Sequence, residues 1–188
     1  LGLLEFNGAS WQLYETPNNT IMRSVKAYKD KIFTGFYMDF GFWKKNKYGA
    51  LEYSSVVKEK EIKMLEDEQI WKIIEIEGWF LFKSFQRIYL YNIETKEIKI
   101  INGENRIHAL TKVKDIIYFQ EDNKGIFKIE NGSPTLISDA PVFKENNIID
   151  FFEKENALLV LTQKKGFYLL NDGKVTKWKL PSNVLEDK

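Results

Sequence analysis

Between Arg106 and Ser138, apolar and polar residues alternate in four short runs, at 107–111, 116–120, 126–129 and 135–138. Turn formers separate them: Lys114-Asp115, then Glu121-Asp122-Asn123-Lys124-Gly125, then Asn131-Gly132-Ser133-Pro134. β-Branched and aromatic residues fill the runs, as half-buried pleated strands require. Asn131-Gly132 favours the positive φ angles of a two-residue hairpin turn. The pattern predicts a four-stranded antiparallel sheet. A sheet that small cannot bury its own apolar faces and needs neighbours of the same kind.

The same pattern recurs at a period of about 42 residues, the size of a propeller blade. Similar first strands start near Ile21, Ile70 and Ile148, and second strands lie at 31–36, 79–83 and 158–162. Third strands follow at 39–44, 88–92 and 167–170, and fourth strands at 51–54, 97–101 and 175–179. The run from Gly125 to Gly132 is echoed from Gly166 to Gly173, and again from Gly2 to Gly8, where it leads into a strand at 11–15.

The expected fold is all-β: a β-propeller segment over 1–188 built from four-stranded antiparallel blades. A half blade at 1–16 carries third and fourth strands alone. Four full blades follow at about 20–56, 69–102, 106–139 and 147–180, and a polar tail starts at Pro181. Frequent turns between short strands also suit a β-sandwich, but the grouping in fours and the glycine figure favour blades. Residues 56–68 are expected to form a charged connection with room for a helical turn. An unclosed arc leaves edges and faces that invite association. The half blade therefore implies a segment of a longer propeller, or two arcs assembling into a ring.

Composition narrows the chemistry. Lys+Arg 28 against Asp+Glu 27 leaves a formal charge of +1 with no basic block, which argues against a nucleic-acid partner. Aromatics reach 15% of residues, as suits sheets that stack face to face. There is no cysteine, hence no disulfide or thiolate chemistry, and one histidine, His108, which excludes multi-histidine metal sites. No apolar run approaches the roughly 20 residues of a membrane span. No cofactor is expected.

The run GLLEFNGASWQLYETPNNTIMRSV, with KIFTGFYMDFGFWKKNKYGALEYSS and IWKII after it, resembles the two-component regulator propeller repeats of Bacteroidetes sensor proteins. Gly2-Leu3, Asn7-Gly8 and Trp11 stand at the repeat's glycine-leucine, turn and tryptophan positions. Pro17-Asn18-Asn19-Thr20 and Phe40-Gly41-Phe42 are similar to members that carry a tyrosine-rich immunoglobulin-like domain after the propeller. The later units depart from the pattern, with Trp79 their sole second-strand tryptophan. The resemblance implies a periplasmic, non-enzymatic sensing region of a membrane-anchored regulator. Its kinase or DNA-binding output domain would lie elsewhere in the parent chain.

First strands of propeller blades line a central channel. Aligned first strands put Arg23, Lys72, His108 and Asp150 at equivalent positions, where they could bind a polar or anionic ligand. Trp43, Trp71 and Trp79 could stack on a sugar ring, but packing between blades is the favoured reading for these tryptophans, and Trp71, just before Lys72 in a channel strand, is the best candidate for exposure. His108 has no serine and carboxylate partner at a recognisable spacing, which argues against catalysis. Asn18-Asn19-Thr20 and Asn131-Gly132-Ser133 match the glycosylation acceptor pattern, incidentally for a bacterial source. The expected partners are a small molecule or glycan, the remaining blades and output domain of the parent chain, and further copies through open blade edges. The competing readings are a protein–protein scaffold and a fragment of a polysaccharide-acting enzyme.

Overall fold

The computed structural model describes residues 1–179, so the tail expected from Pro181 lies outside the described residues. The chain divides into two compact units, Leu1–Asn102 and the residues from Gly103 onward.

The first unit opens with a two-stranded antiparallel sheet, β1 (Gly2–Phe6) and β2 (Trp11–Glu15). Two four-stranded sheets follow, each with its strands in chain order. One is β3 (Ser24–Tyr28), β4 (Lys31–Gly35), β5 (Phe40–Lys45) and β6 (Leu51–Ser55). The other is β7 (Lys72–Ile76), β8 (Trp79–Lys83), β9 (Arg87–Asn92) and β10 (Ile98–Asn102). Tight turns make consecutive strands antiparallel: between β7 and β8, Glu77 and Gly78 sit at φ 49° and 78°, as a two-residue hairpin demands. After β6 comes α1 (Val56–Glu59), capped by Ser55, whose Oγ accepts the Lys58 N–H at 3.0 Å. The charged connection thus supplies the helical turn its composition allows.

Aromatic faces hold these sheets together. Phe33 of β4 stacks on Phe80 of β8 with centroids 3.5 Å apart, and Phe40 stacks on Phe82 at 4.3 Å. On the other side of the β3–β6 sheet, Leu3 and Tyr14 pack against Phe36, Trp43 and Leu51. Trp43 is fully packed, its Nε1 donating to Thr34 Oγ1 at 3.0 Å. Trp79 is half-buried, with the Lys99 ammonium 5.3 Å from its ring.

The second unit holds two more four-stranded sheets in chain order. The first is β11 (Ile107–Val113), β12 (Ile116–Glu121), β13 (Gly125–Glu130) and β14 (Ser133–Ser138). The second is β15 (Ile148–Lys154), β16 (Ala157–Thr162), β17 (Gly166–Asn171) and β18 (Lys174–Trp178). Asn131 and Gly132, at φ 51° and 78°, make the turn their sequence predicts. Gly125, at φ 119°, passes so close to β14 that an added Cβ would stand 2.1 Å from the Ser138 carbonyl oxygen. The fold is all-β, with four complete blade sheets and a half blade.

Between β14 and β15 lies α2 (Pro141–Glu145), which the strand pattern does not announce. Its five residues are too few to show helical periodicity. Phe143 buries against Ile126 and Val160. Gln120, fully buried, clasps this segment: Nε2 donates to the Phe143 and Asn146 carbonyls at 2.6 and 2.8 Å, and Oε1 accepts the Ile148 N–H at 2.6 Å. Gln120→Ala leaves these buried groups unbonded, and is expected to cost about 2–4 kcal/mol in urea unfolding.

Asp39 is buried and its Oδ1 accepts from Ser55 Oγ at 2.6 Å. Burial holds its carboxyl above the usual range, outweighing the Ser55 hydrogen bond. The folded state therefore holds the proton more tightly than the unfolded one. Stability contributed at this site is greatest below the unfolded value of about 3.9 and falls as pH rises through the folded one. Asp39→Asn is expected to flatten that fall and to exceed the parent in urea midpoint at pH 7.

Candidate functional site

The first unit brings Arg23, Trp71 and Lys72 to the same end of its two complete sheets, where β3 and β7 begin. Pairing across that end is continuous. The Arg23 N–H bonds the Gly35 carbonyl at 2.9 Å, Ile70 N–H bonds Phe36 O at 3.0 Å, and Trp71 N–H bonds Lys83 O at 2.8 Å. Gly35 makes room for the segment: an added Cβ would meet the Ile70 side chain at 2.4 Å. Ser24 Oγ donates to Ile70 O at 2.9 Å and ties the two sheets at this level.

Trp71 is here the centre of a partly open aromatic cluster. It stacks on Phe85, with centroids 5.2 Å apart and planes 23° apart, and the two are 37% and 40% exposed. The Arg23 guanidinium lies 4.8 Å from the Trp71 ring, while its Nε donates to Gln69 Oε1 at 2.9 Å. Lys83, buried along its stem, puts its ammonium 5.9 Å from the Phe85 ring, and exposed Lys72 pairs with Lys83 in register. Among the described residues no carboxylate forms an ion pair with Arg23 or Lys72. The result is an apolar ring surface beside the charges of Arg23 and Lys72, which no ion pair among the described residues neutralises.

Phe85 is the residue the repeat alignment misses. It sits in the turn between β8 and β9, where Ser84 Oγ accepts the Gln86 and Arg87 N–H groups at 3.3 and 2.9 Å. A large aromatic side chain inside a serine-headed turn is the signal that could have found it, since the turn's own hydrogen bonds leave that side chain no interior to occupy. The hydrogen bonds also correct the alignment by one residue. Arg23 stands level with Trp71, and Ser24 level with Lys72, because Gly35 and Lys83 are the partners of those positions. Alternation along one strand does not reveal which residue of the next strand it faces.

The connection carrying Gln69 and Trp71 is clamped from beneath. Buried Glu68 accepts the Tyr89 hydroxyl at 2.6 Å and the Leu65 N–H at 2.9 Å through Oε2, while Oε1 has no hydrogen-bond partner among the described residues. Burial, with the adjoining carboxylate, keeps the Tyr89 phenol well above its usual range. Arg87 Nη1 donates to the Lys63 carbonyl at 2.9 Å and to Tyr89 Oη at 3.3 Å. Above, the Tyr37 hydroxyl donates to Asp67 at 2.6 Å. A shallow hollow of about 330 Å³ opens beside Tyr37, flanked by Asn18, Thr20 and Asp39.

His108 and Asp150 belong to the second unit, and both are engaged locally. His108 Nε2 lies 2.7 Å from Asp122 Oδ1, a contact without aligned hydrogen-bond geometry. Asp150 Oδ1 accepts the Thr111 hydroxyl and the Phe151 N–H. Both sit where the first strand bulges against the second, between Ile107 and Leu110 and between Ile148 and Asp150. A cleft of about 580 Å³ between the two sheets of this unit is lined by Lys114, Tyr118, Lys128 and Glu153. Its lysines are already paired, Lys114 with Glu153 at 2.9 Å and Lys128 with Glu130 at 2.6 Å. Among the described residues no cluster of three or more His, Asp or Glu could hold a metal ion, and no helix is long and apolar enough to cross a membrane.

No family model matches the chain, and no curated protein does. Solved structures match in fold. The extracellular domain of BT4673 from B. thetaiotaomicron, described as a one-component system, aligns with a TM-score of 0.62 at 15% identity over 94% of this chain and 25% of that one. BamB from Moraxella catarrhalis aligns with 0.63 at 10% identity, over 89% of this chain and 53% of BamB. The Pan2 WD40 domain of Neurospora crassa gives 0.56 at 11% identity, over 87% and 50%. The chain thus spans between a quarter and about half of these propeller structures, and the likeness is one of fold.

Glu68→Ala removes the acceptor for Tyr89 and Leu65, and is expected to cost about 2–4 kcal/mol. Amide exchange should speed up over residues 63–71 more than in β8 or β9.

Proposed function

We propose that this chain is the ligand-binding part of an extracytoplasmic sensor: a propeller segment that takes up a small molecule or glycan and relays the event to an output domain. The observation that carries this reading is the Trp71–Phe85 pair, stacked at 5.2 Å and partly open, with Arg23 4.8 Å from the indole. A flat ring can lie on the exposed aromatic surface, and acidic or hydroxyl groups on its rim can meet Arg23, Lys72 and Gln69. The likeness in fold to a bacterial extracellular domain and the resemblance of residues 2–55 to sensor repeats both support a periplasmic location.

A binding role suits the acids better than a hydrolytic one. Buried Asp39, Glu68 and Glu121 are occupied by scaffold groups, Glu121 Oε1 accepting the Glu104 and Asn105 N–H groups at 2.8 and 3.0 Å. Carboxylates held this way secure loops and are poorly placed to work as an acid–base pair across a glycosidic bond.

Titration of the chain with neutral and acidic oligosaccharides, followed by tryptophan fluorescence, is expected to give saturable binding by at least one of them. Trp71→Ala and Arg23→Ala should each weaken it about tenfold or more while leaving the circular dichroism spectrum unchanged. Saturable binding untouched by either substitution would place the ligand elsewhere. No binding across the panel would remove the sensor reading in favour of a scaffold.

A further inference from the structure

Arg23, the guanidinium of the aromatic cluster, is held on two sides by neutral partners. Its Nε donates to Gln69 Oε1 at 2.9 Å, and its guanidinium carbon lies 4.8 Å from the centre of the Trp71 ring. Gln69 is itself fixed by its backbone. It bridges Tyr37 in antiparallel fashion, and beside it Met38 N–H bonds Glu68 O at 2.7 Å and Ile70 N–H bonds Phe36 O at 3.0 Å. With Nε occupied and the indole against it, the guanidinium keeps its two Nη groups, whose N–H bonds form a planar fork.

The acids of the neighbouring connection are turned elsewhere. Asp67 Oδ1 accepts the Tyr37 hydroxyl at 2.6 Å, and Glu68 Oε2 accepts from Tyr89 and Leu65. Lys72 adds to the imbalance. It stands directly opposite Lys83 across β7 and β8, and like charges so placed destabilise a sheet. Two cations at one end of the sheets, with no acid ion-paired to Arg23 or Lys72 among the described residues, fit a ligand that brings the acid itself.

We propose that the saccharide taken up at this cluster is a uronate, its carboxylate received by the Nη groups of Arg23 while its ring lies against the exposed aromatic surface. This rests on the reading of the Trp71–Phe85 pair as the binding site. The shape of the fork separates a carboxylate from other anions. Both carboxylate oxygens can lie in the plane of the two Nη–H donors. A tetrahedral sulfate ester turns oxygens out of that plane, toward the negative face of the indole. Gln69 is then a positioning residue: it brings no charge and acts by holding the fork where the carboxylate arrives.

The test is calorimetric titration of the chain with oligosaccharides of glucuronate, galacturonate and mannuronate, each beside its methyl ester and beside an O-sulfated neutral oligosaccharide. At least one uronate is expected to bind about tenfold or more tighter than its ester, and tighter than the sulfated sugar. Arg23→Lys keeps the charge and removes the fork, and should bring acid and ester within about threefold of each other. Gln69→Glu sets a carboxylate at Nε in the same volume. It should also erase the preference for the acid, while affinity for the ester stays within about twofold of the parent. Acid and ester bound equally by the parent, with both weakened by Trp71→Ala, overturn the uronate assignment and leave the site standing. A sulfated sugar bound as tightly as the uronate, or a preference for the acid that survives either substitution, also overturns it. Binding to none of the panel, or binding indifferent to Trp71→Ala, overturns it together with the reading it rests on.

Discussion

Each four-stranded sheet in this chain is a single layer that cannot bury its apolar residues by itself, and it depends on a neighbouring sheet to cover them. That constraint governs the rest. Four strands of five to seven residues cannot wrap a core of their own, so the hydrophobic contribution arises between sheets. In the first unit it takes the form of ring against ring, Phe33 on Phe80 and Phe40 on Phe82. In the second it is mainly aliphatic, with Ile126, Val160 and Leu170 packed around Phe143 and Phe151.

Between the sheets, connections are held by buried polar clasps in place of long regular elements. Gln120 spends all three of its hydrogen bonds on one such segment, Glu68 fixes the approach to β7, and Glu121 gathers the N–H groups of Glu104 and Asn105. Each clasp satisfies backbone groups of the segment it holds, in buried or partly buried surroundings. They also decide what is left outside. With the connection before β7 pinned by Glu68 and the turn after β8 closed by Ser84, Trp71 and Phe85 have no interior to enter and meet each other at the surface.

The candidate sites differ in how their charges are held. Charges in the cleft of the second unit are largely cancelled by near neighbours, and exposed pairs of that kind contribute little beyond solvation. Arg23 instead spends its hydrogen bond on the neutral Gln69 amide and its charge on the indole face. A guanidinium placed over an aromatic ring retains donors for an incoming anion.

Strand positions, the four-fold grouping and the hairpin turns were legible in the sequence, because alternation and turn chemistry are local. Asn131-Gly132 and Asp172-Gly173 adopt the positive φ values their residue types favour. Trp71 could be ranked as the best candidate for an exposed ring, since it precedes a lysine at the start of a strand, although packing between blades was the favoured reading. Other features came from tertiary structure. Which residue of one strand faces which of the next depends on hydrogen-bond register, and so Arg23 is level with Trp71 and not with Lys72. Phe85 joins the cluster through a turn remote from Arg23 in sequence, and α2 is too short to carry a period of its own. The alternating pattern from Arg106 to Ser138 determined a sheet with two faces. What covers each face, and what stays open, was decided by the packing of neighbouring sheets, because burial is a property of pairs of surfaces and no strand encodes its partner.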